Sequence, residues 1–232
     1  MDWTYIVIVM PAVLFSLWAS AKVNSTFQKY QKQRNSRNIT GAEAARQVLD
    51  SNGLYQVRIE QVAGELTDHY DPSANVIRLS SGVYGSTSTA AVGVACHEAG
   101  HAIQYAVGYA PIRFRAAIIP VTNIGSKLAV PLIFAGLLMG GVSSFFITLA
   151  YIGVFAFSLS ALFQLVTLPT EINASKRALQ SIESANLLYG EELEGAKKVL
   201  TAAALTYVAA LAVSLTQILR FLVLLGGRRR ND

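Results

Sequence analysis

Apolar residues are gathered into a few long runs instead of being spread evenly along the chain. The first covers Trp3 to Ala21. Leu128 to Leu168 are then 41 residues without a single Asp, Glu, Lys, Arg or His. At about 20 residues per crossing, that stretch is nearly two bilayer spans. The turn between them falls at Gly140-Gly141-Val142-Ser143-Ser144, which pushes the start of the first span upstream towards Val121 and leaves Lys127 snorkelling or facing protein. A fourth run, Val199 to Leu225, is long enough to cross but contains Thr206, Ser214, Thr216, Gln217 and Arg220. Its first half can equally pack on the polar part of the chain.

The stretches between these runs have the periodicities of a small folded domain. "ITGAEAARQVLDSNGL" predicts a helix with Thr40 as N-cap, Glu43 completing a capping box and Gly53 as the stop. "QVRIEQVAG" and "NVIRLS" alternate as strands do, with "DPSAN" supplying turn chemistry, so a sheet of two or three strands follows. "STSTAAVGVACHEAGHAIQYAVG" predicts another helix, capped by Ser88 or Thr89, with its body from Ala90 to Tyr105 and its end at Gly108 and Pro111. A polar helical segment, "EINASKRALQSIESANLL", follows Pro169.

Composition sharpens the membrane reading. Of the 232 residues, 53% are hydrophobic and only 14% charged, against about 25% charged in soluble domains. The first run lacks a basic n-region, because Asp2 stands there, and is long for a signal peptide; it reads as a retained anchor with Trp3, Tyr5 and Trp18 as interfacial aromatics. The net charge of +5 does not point to nucleic acid. Lys22, Lys29, Lys32, Arg34, Arg37 and Arg46 follow the first span, and Arg113, Arg115, Lys176 and Arg177 flank the hairpin, as the positive-inside rule requires of a cytoplasmic side. The single cysteine, Cys96, excludes an internal disulfide and fits a reducing compartment.

The candidate chemistry lies in "GVACHEAGHAIQYAVG". Residues four apart share a helix face, so His97 and His101 can point two imidazoles at one ion. Glu98, about 100° round the helix, can reach a water bound to that ion and act as general base. Catalytic zinc takes three protein ligands and keeps one position open. The metzincin form is excluded, because Gln104 and Val107 stand where its glycine and histidine would be. Two candidates for the third ligand remain. His69 lies in a strand just before the helix, and Glu171 is the first acidic residue after the hairpin, on a face with Ala174, Ser175 and Ala178 that permits close packing.

"DHYDPSANVIRLSSGVYGSTSTAAVGVACHEAGHAIQ" and "LFQLVTLPTEINASKRAL" closely resemble the YugP-like neutral zinc metallopeptidases of bacteria, over essentially the whole chain. These look like relatives of the HtpX-type gluzincins, which take their third zinc ligand from a Glu after a transmembrane hairpin. That resemblance places the ligand at Glu171. The wider group has an Asp four residues later; Ser175 stands here, so support for a histidine is expected from elsewhere.

The resulting expectation is a multi-pass membrane protein, mainly α with a small β-sheet, whose gluzincin-like zinc domain is interrupted by a transmembrane hairpin. Residues 1–21 form the anchor, 22–116 and 169–198 the two parts of the peptidase, 117–168 the hairpin, and 199–232 an apolar helix with a basic tail. The expected function is zinc-dependent endopeptidase at the cytoplasmic membrane surface, with one zinc per chain held by His97, His101 and Glu171, Glu98 as base, and His69 contacting substrate or transition state. Expected partners are a protein or peptide substrate, the lipid bilayer and a regulatory membrane partner, with no nucleic acid. The competing readings are a non-catalytic zinc-binding scaffold, which has no need of Glu98, and a site-2-type protease, which requires an "LDG"-like motif that the chain lacks. Topology carries one tension: if 199–225 also spans, Arg228, Arg229 and Arg230 end on the outside, against the charge rule.

Overall fold

A computed structural model describes residues 3–228 of the chain. Asp2 and the tail residues 229–232, used above for the anchor and topology readings, lie outside the described residues. A short π-helical stretch, Tyr5–Val9, leads into α1 (Met10–Gln31). Next come α2 (Gly41–Ser51), β1 (Arg58–Val62), β2 (His69–Asp71), β3 (Val76–Ser80), α3 (Ser81–Tyr84) and α4 (Thr89–Ala106). Three long helices complete the chain: α5 (Ala110–Met139), α6 (Ser144–Ser184) and α7 (Glu191–Arg228). The protein is therefore mainly helical with one small sheet. The four helical segments Tyr5–Gln31, Ala110–Met139, Ser144–Ser184 and Glu191–Gly227 are long and apolar enough to cross a membrane.

The chain forms two compact units. One comprises Ser20–Arg113 and Pro169–Leu205. Its local signals act as the sequence predicts: the Thr40 side chain accepts from the Glu43 N–H while the Glu43 carboxylate accepts from the Thr40 N–H. Ser88 caps α4 by accepting from the Ala91 N–H. In the sheet, β3 lies between β1, parallel to it, and β2, antiparallel. The Asp71 carboxylate shapes the β2–β3 turn by accepting from the Ser73 and Ala74 N–H groups, and Asn75 adopts a positive φ of 51°. The core is filled by Val48 and Leu49 of α2, Ile77 and Leu79 of β3, Ala95, Cys96 and Ala99 of α4, and Ile182 of α6. Cys96 is a buried free thiol in that core, where burial pushes its pKa far up.

The other unit comprises residues up to Ala19, Phe114–Leu168 and the chain from Thr206. Here α5 and α6 approach through small residues: a Cβ at Gly136 would collide with Ala150, and one at Gly153 would meet the Ala129 carbonyl at 2.9 Å. Apolar helices associate in this way when packing and not water drives them together. Phe157 meets Phe221 edge to face at 5.6 Å, and Arg220 sits 5.3 Å from the Tyr5 ring centroid.

Three helices run past the limits of the apolar runs. The helix of the first apolar run continues beyond Ala21 to Gln31. The fourth run belongs to a helix that starts at Glu191. Its first part, with Ala196, Val199 and Leu200, is buried within the first-described unit. The stretch from Thr206 to Arg228 still measures about 34 Å at ~1.5 Å per residue, enough for one crossing. Finally, Glu171 does not open a new helix, because α6 runs unbroken through Pro169. A proline there removes one backbone donor. The stripe Thr170, Ala174, Ala178 and Ile182, buried at i, i+4 spacing with Glu171 beside it, holds the helix on course past it.

Candidate metal centre

Helix α4 is almost wholly enclosed, and its small residues determine what can lie against it. A Cβ at Gly100 would stand 2.5 Å from the Ala174 carbonyl oxygen, so α4 and the 169–184 part of α6 come together backbone to backbone at this point. Such an approach brings side chains one turn away on either helix into reach. His97 and His101 project from α4, their rings edge to face with centroids 4.7 Å apart. The Glu171 carboxylate meets both: its Oε2 lies 3.2 Å from His97 Nε2 and 3.5 Å from His101 Nε2.

One ligand atom from each of the three residues lies within 4.8 Å of the others. Bonds of about 2.0–2.1 Å to a tetrahedral zinc place its ligand atoms about 3.3 Å apart. The observed 3.2 and 3.5 Å fit that edge length. The side chains are 15%, 11% and 4% exposed respectively, so the donors are withdrawn from bulk water yet not sealed. Two imidazoles and one carboxylate are also the donor set that suits zinc. Glu98 is buried on α4, close enough for its charge to act on His101. Burial alone would lower the His101 pKa, but the Glu171 hydrogen bond and the Glu98 and Glu171 charges raise it overall.

The neighbours of the imidazoles correct the expectation that support for a histidine comes from somewhere other than Ser175. Ser175 Oγ lies 3.1 Å from His97 Nδ1, so the residue that departs from the wider group's Asp still contacts a histidine. His101 Nδ1 is 3.0 Å from Oε1 of Gln104, whose Nε2 donates to the Thr170 carbonyl and to Asn173 Oδ1. Arg177 Nε donates to the same Asn173 oxygen. Gln104 had a signal: a polar residue on the apolar face of a helix, three positions after a ligand, calls for a buried partner.

His69 is not drawn into this group. It stands exposed on β2, one of the two edge strands of the sheet, with Nδ1 2.7 Å from the Thr67 carbonyl. Since Nδ1–H must donate there, a neutral His69 ring presents Nε2 as an acceptor and can donate from it only as imidazolium. The neighbouring Tyr70 hydroxyl donates to Asn75 Oδ1 and its ring packs on Tyr105 at 5.7 Å, so it serves the turn and the α4 contact.

Comparison with known proteins gives the family of the chain. Residues 5–226 match the family described as "putative neutral zinc metallopeptidase". The "Putative membrane protease YugP" of Bacillus subtilis (strain 168) is 47% identical over 228 residues, covering 98% of this chain and 99% of the relative. No solved structure matches. With nearly its full length aligned to that family and three zinc-type donors brought to one point by α4 and α6, the chain belongs to the family described as "putative neutral zinc metallopeptidase".

Proposed function

We propose that the protein is an integral-membrane, zinc-dependent endopeptidase with one metal per chain, whose site lies at the cytoplasmic surface of the membrane. The observation that carries this reading is the convergence of His97, His101 and Glu171 on one point with Glu98 beside them. Bound there, zinc would polarise a scissile carbonyl and lower the pKa of a bound water to about 7. His97 and His101 would ligate through Nε2, their Nδ1 atoms being engaged by Ser175 and Gln104. Glu171 would supply the third bond and offset one positive charge. Glu98 takes the proton from the attacking water and returns it to the leaving amine.

The peptidase is assembled from residues 22–116 and 169–198, with the apolar segments between and around them in the bilayer. The basic residues Lys22 to Arg46 and Lys176–Arg177 support a cytoplasmic position for both parts. The edge strand β2 offers unpaired backbone to an extended peptide, and His69 on it would contact substrate. Detergent-purified protein should contain about one zinc per chain and cleave an unstructured protein such as casein. A metal analysis finding no transition metal in fresh wild-type protein would overturn the reading.

A further inference from the structure

The hydrogen bonds behind His101 form a chain whose direction is dictated at its far end. Arg177 carries only donors, so the Asn173 atom facing its Nε, at 2.8 Å, must be the carbonyl oxygen. That same oxygen faces the Gln104 side-chain amide at 3.0 Å, so Gln104 must present its NH2 group there. A second acceptor, the Thr170 backbone carbonyl at 2.8 Å, makes the same demand on the other hydrogen. Both Gln104 amide hydrogens are thereby used on atoms that cannot donate. Its oxygen has one direction left, towards His101 Nδ1 at 3.0 Å. Gln104 is completely buried, so no water can replace a lost partner or ease a reversed amide.

We propose that Gln104 is a positioning residue: anchored by Thr170 and by the Arg177–Asn173 pair, its carbonyl accepts from His101 Nδ1–H and so reserves Nε2, the ring atom facing Glu171, for ligation once that atom carries no proton. The proposal deepens the zinc reading of the same site, but the tautomer itself is a property of the metal-free chain. A ring free to place its proton on Nε2 would have no lone pair to offer there, and part of the population would have to rearrange before any ligation. An amide, unlike a carboxylate, does this without adding negative charge. The site therefore keeps one carboxylate ligand and the neighbouring Glu98 as its acidic groups.

The test uses the full chain, 15N-labelled, metal-free in detergent micelles, with pH raised until the His101 ring is neutral, which for this residue lies above the ordinary histidine range. Long-range 15N–1H correlation should show His101 with a protonated Nδ1 and an unprotonated Nε2. Gln104→Leu should give mixed tautomers and weaken zinc about 10- to 100-fold in chelator competition, the range for loss of a partner behind a metal ligand. Asn173→Asp, whose carboxylate accepts both bonds, should keep the tautomer and bind zinc within about threefold of wild type, while Asn173→Leu should fall between. Wild-type His101 protonated on Nε2 would overturn the proposal, and this measurement does not depend on any variant folding. So would a folded Gln104→Leu with unchanged tautomer and zinc affinity. Wild type that shows the expected tautomer but takes up no zinc would instead remove the peptidase reading and leave the tautomer assignment standing.

Discussion

The two units use the same small and apolar residues against different surroundings. In the unit built from 20–113 and 169–205, large apolar side chains point inward, with Leu49, Ile77 and Leu79 at 0% exposure. In the other unit, Leu138 is 74% and Phe155 70% exposed, and burial is reserved for Ala129, Ile133, Ala150 and a few neighbours. The first pattern expels water from its interior. The second presents hydrocarbon to its surroundings, which lowers free energy only where those surroundings are lipid. Glycine and alanine serve both, but for different ends. Gly136 and Gly153 let two apolar helices touch, whereas Gly100 lets α4 approach the stretch of α6 that carries Glu171. The candidate metal ligands His97, His101 and Glu171 belong to the water-excluding unit.

That contrast can be broken most forcefully at the site. Glu98→Gln should keep zinc and fold but lower turnover by about 10²–10⁴-fold, the usual contribution of a general base. Substantial remaining turnover would assign the base elsewhere. Glu171→Ala should weaken zinc by more than about 100-fold, since a ligand matters more than a partner behind one; His69→Ala should spare zinc and at most reduce turnover. A metal-free His69→Ala beside a zinc-loaded, active Glu171→Ala would reverse the ligand assignment.

Smaller effects sharpen the difference between the units. Leu79→Ala, in the water-excluding core, should cost about 2–5 kcal/mol of unfolding free energy in detergent. Phe155→Ala, on an exposed apolar face, should cost less than about 1 kcal/mol. Equal losses would mean that both units hide their apolar groups in the same way. Gly100→Ala should cost about 1–3 kcal/mol through overpacking and also weaken zinc, because the helices part at the site. The pH dependence should have two opposing signs. In metal-free protein His101 holds its proton more tightly than an unfolded histidine, so it stabilises the fold at low pH, and this is lost as pH rises through the raised value. Zinc requires the neutral ring, so its affinity should fall on acidification, starting above the ordinary histidine range of about 6.5. Chelator competition from pH 9 to 6 measures the second trend, and thermal unfolding without metal the first.

Much of this was legible one residue at a time. Hydrophobic run length announced the four helices long and apolar enough to cross a membrane, because bilayer thickness sets a length that any spanning sequence must meet. The Thr40 capping box, the Ser88 cap and the Asp71 turn act within four residues, so composition alone specifies them. His97, Glu98 and His101 were readable for the same reason: helical period puts them on neighbouring faces without help from the rest of the chain. Glu171 was harder. Spacing left it beside His69 and the family resemblance chose it; packing at Gly100 and Ala174, across more than seventy positions, brings its carboxylate to both imidazoles. The continuity of α6 through Pro169 was hidden too, since a proline reads locally as a break while the buried stripe from Thr170 to Ile182 outweighs one missing hydrogen bond. Of the link from Arg177 through Asn173 and Gln104 to His101, only Gln104 carried a local signal, because the link joins two helices by side chains whose partners are chosen in three dimensions. Sequence determined which residues can do the chemistry; tertiary structure decided which of them meet, because a hydrogen bond or a metal ligand is a distance, and distances between remote residues are set by packing.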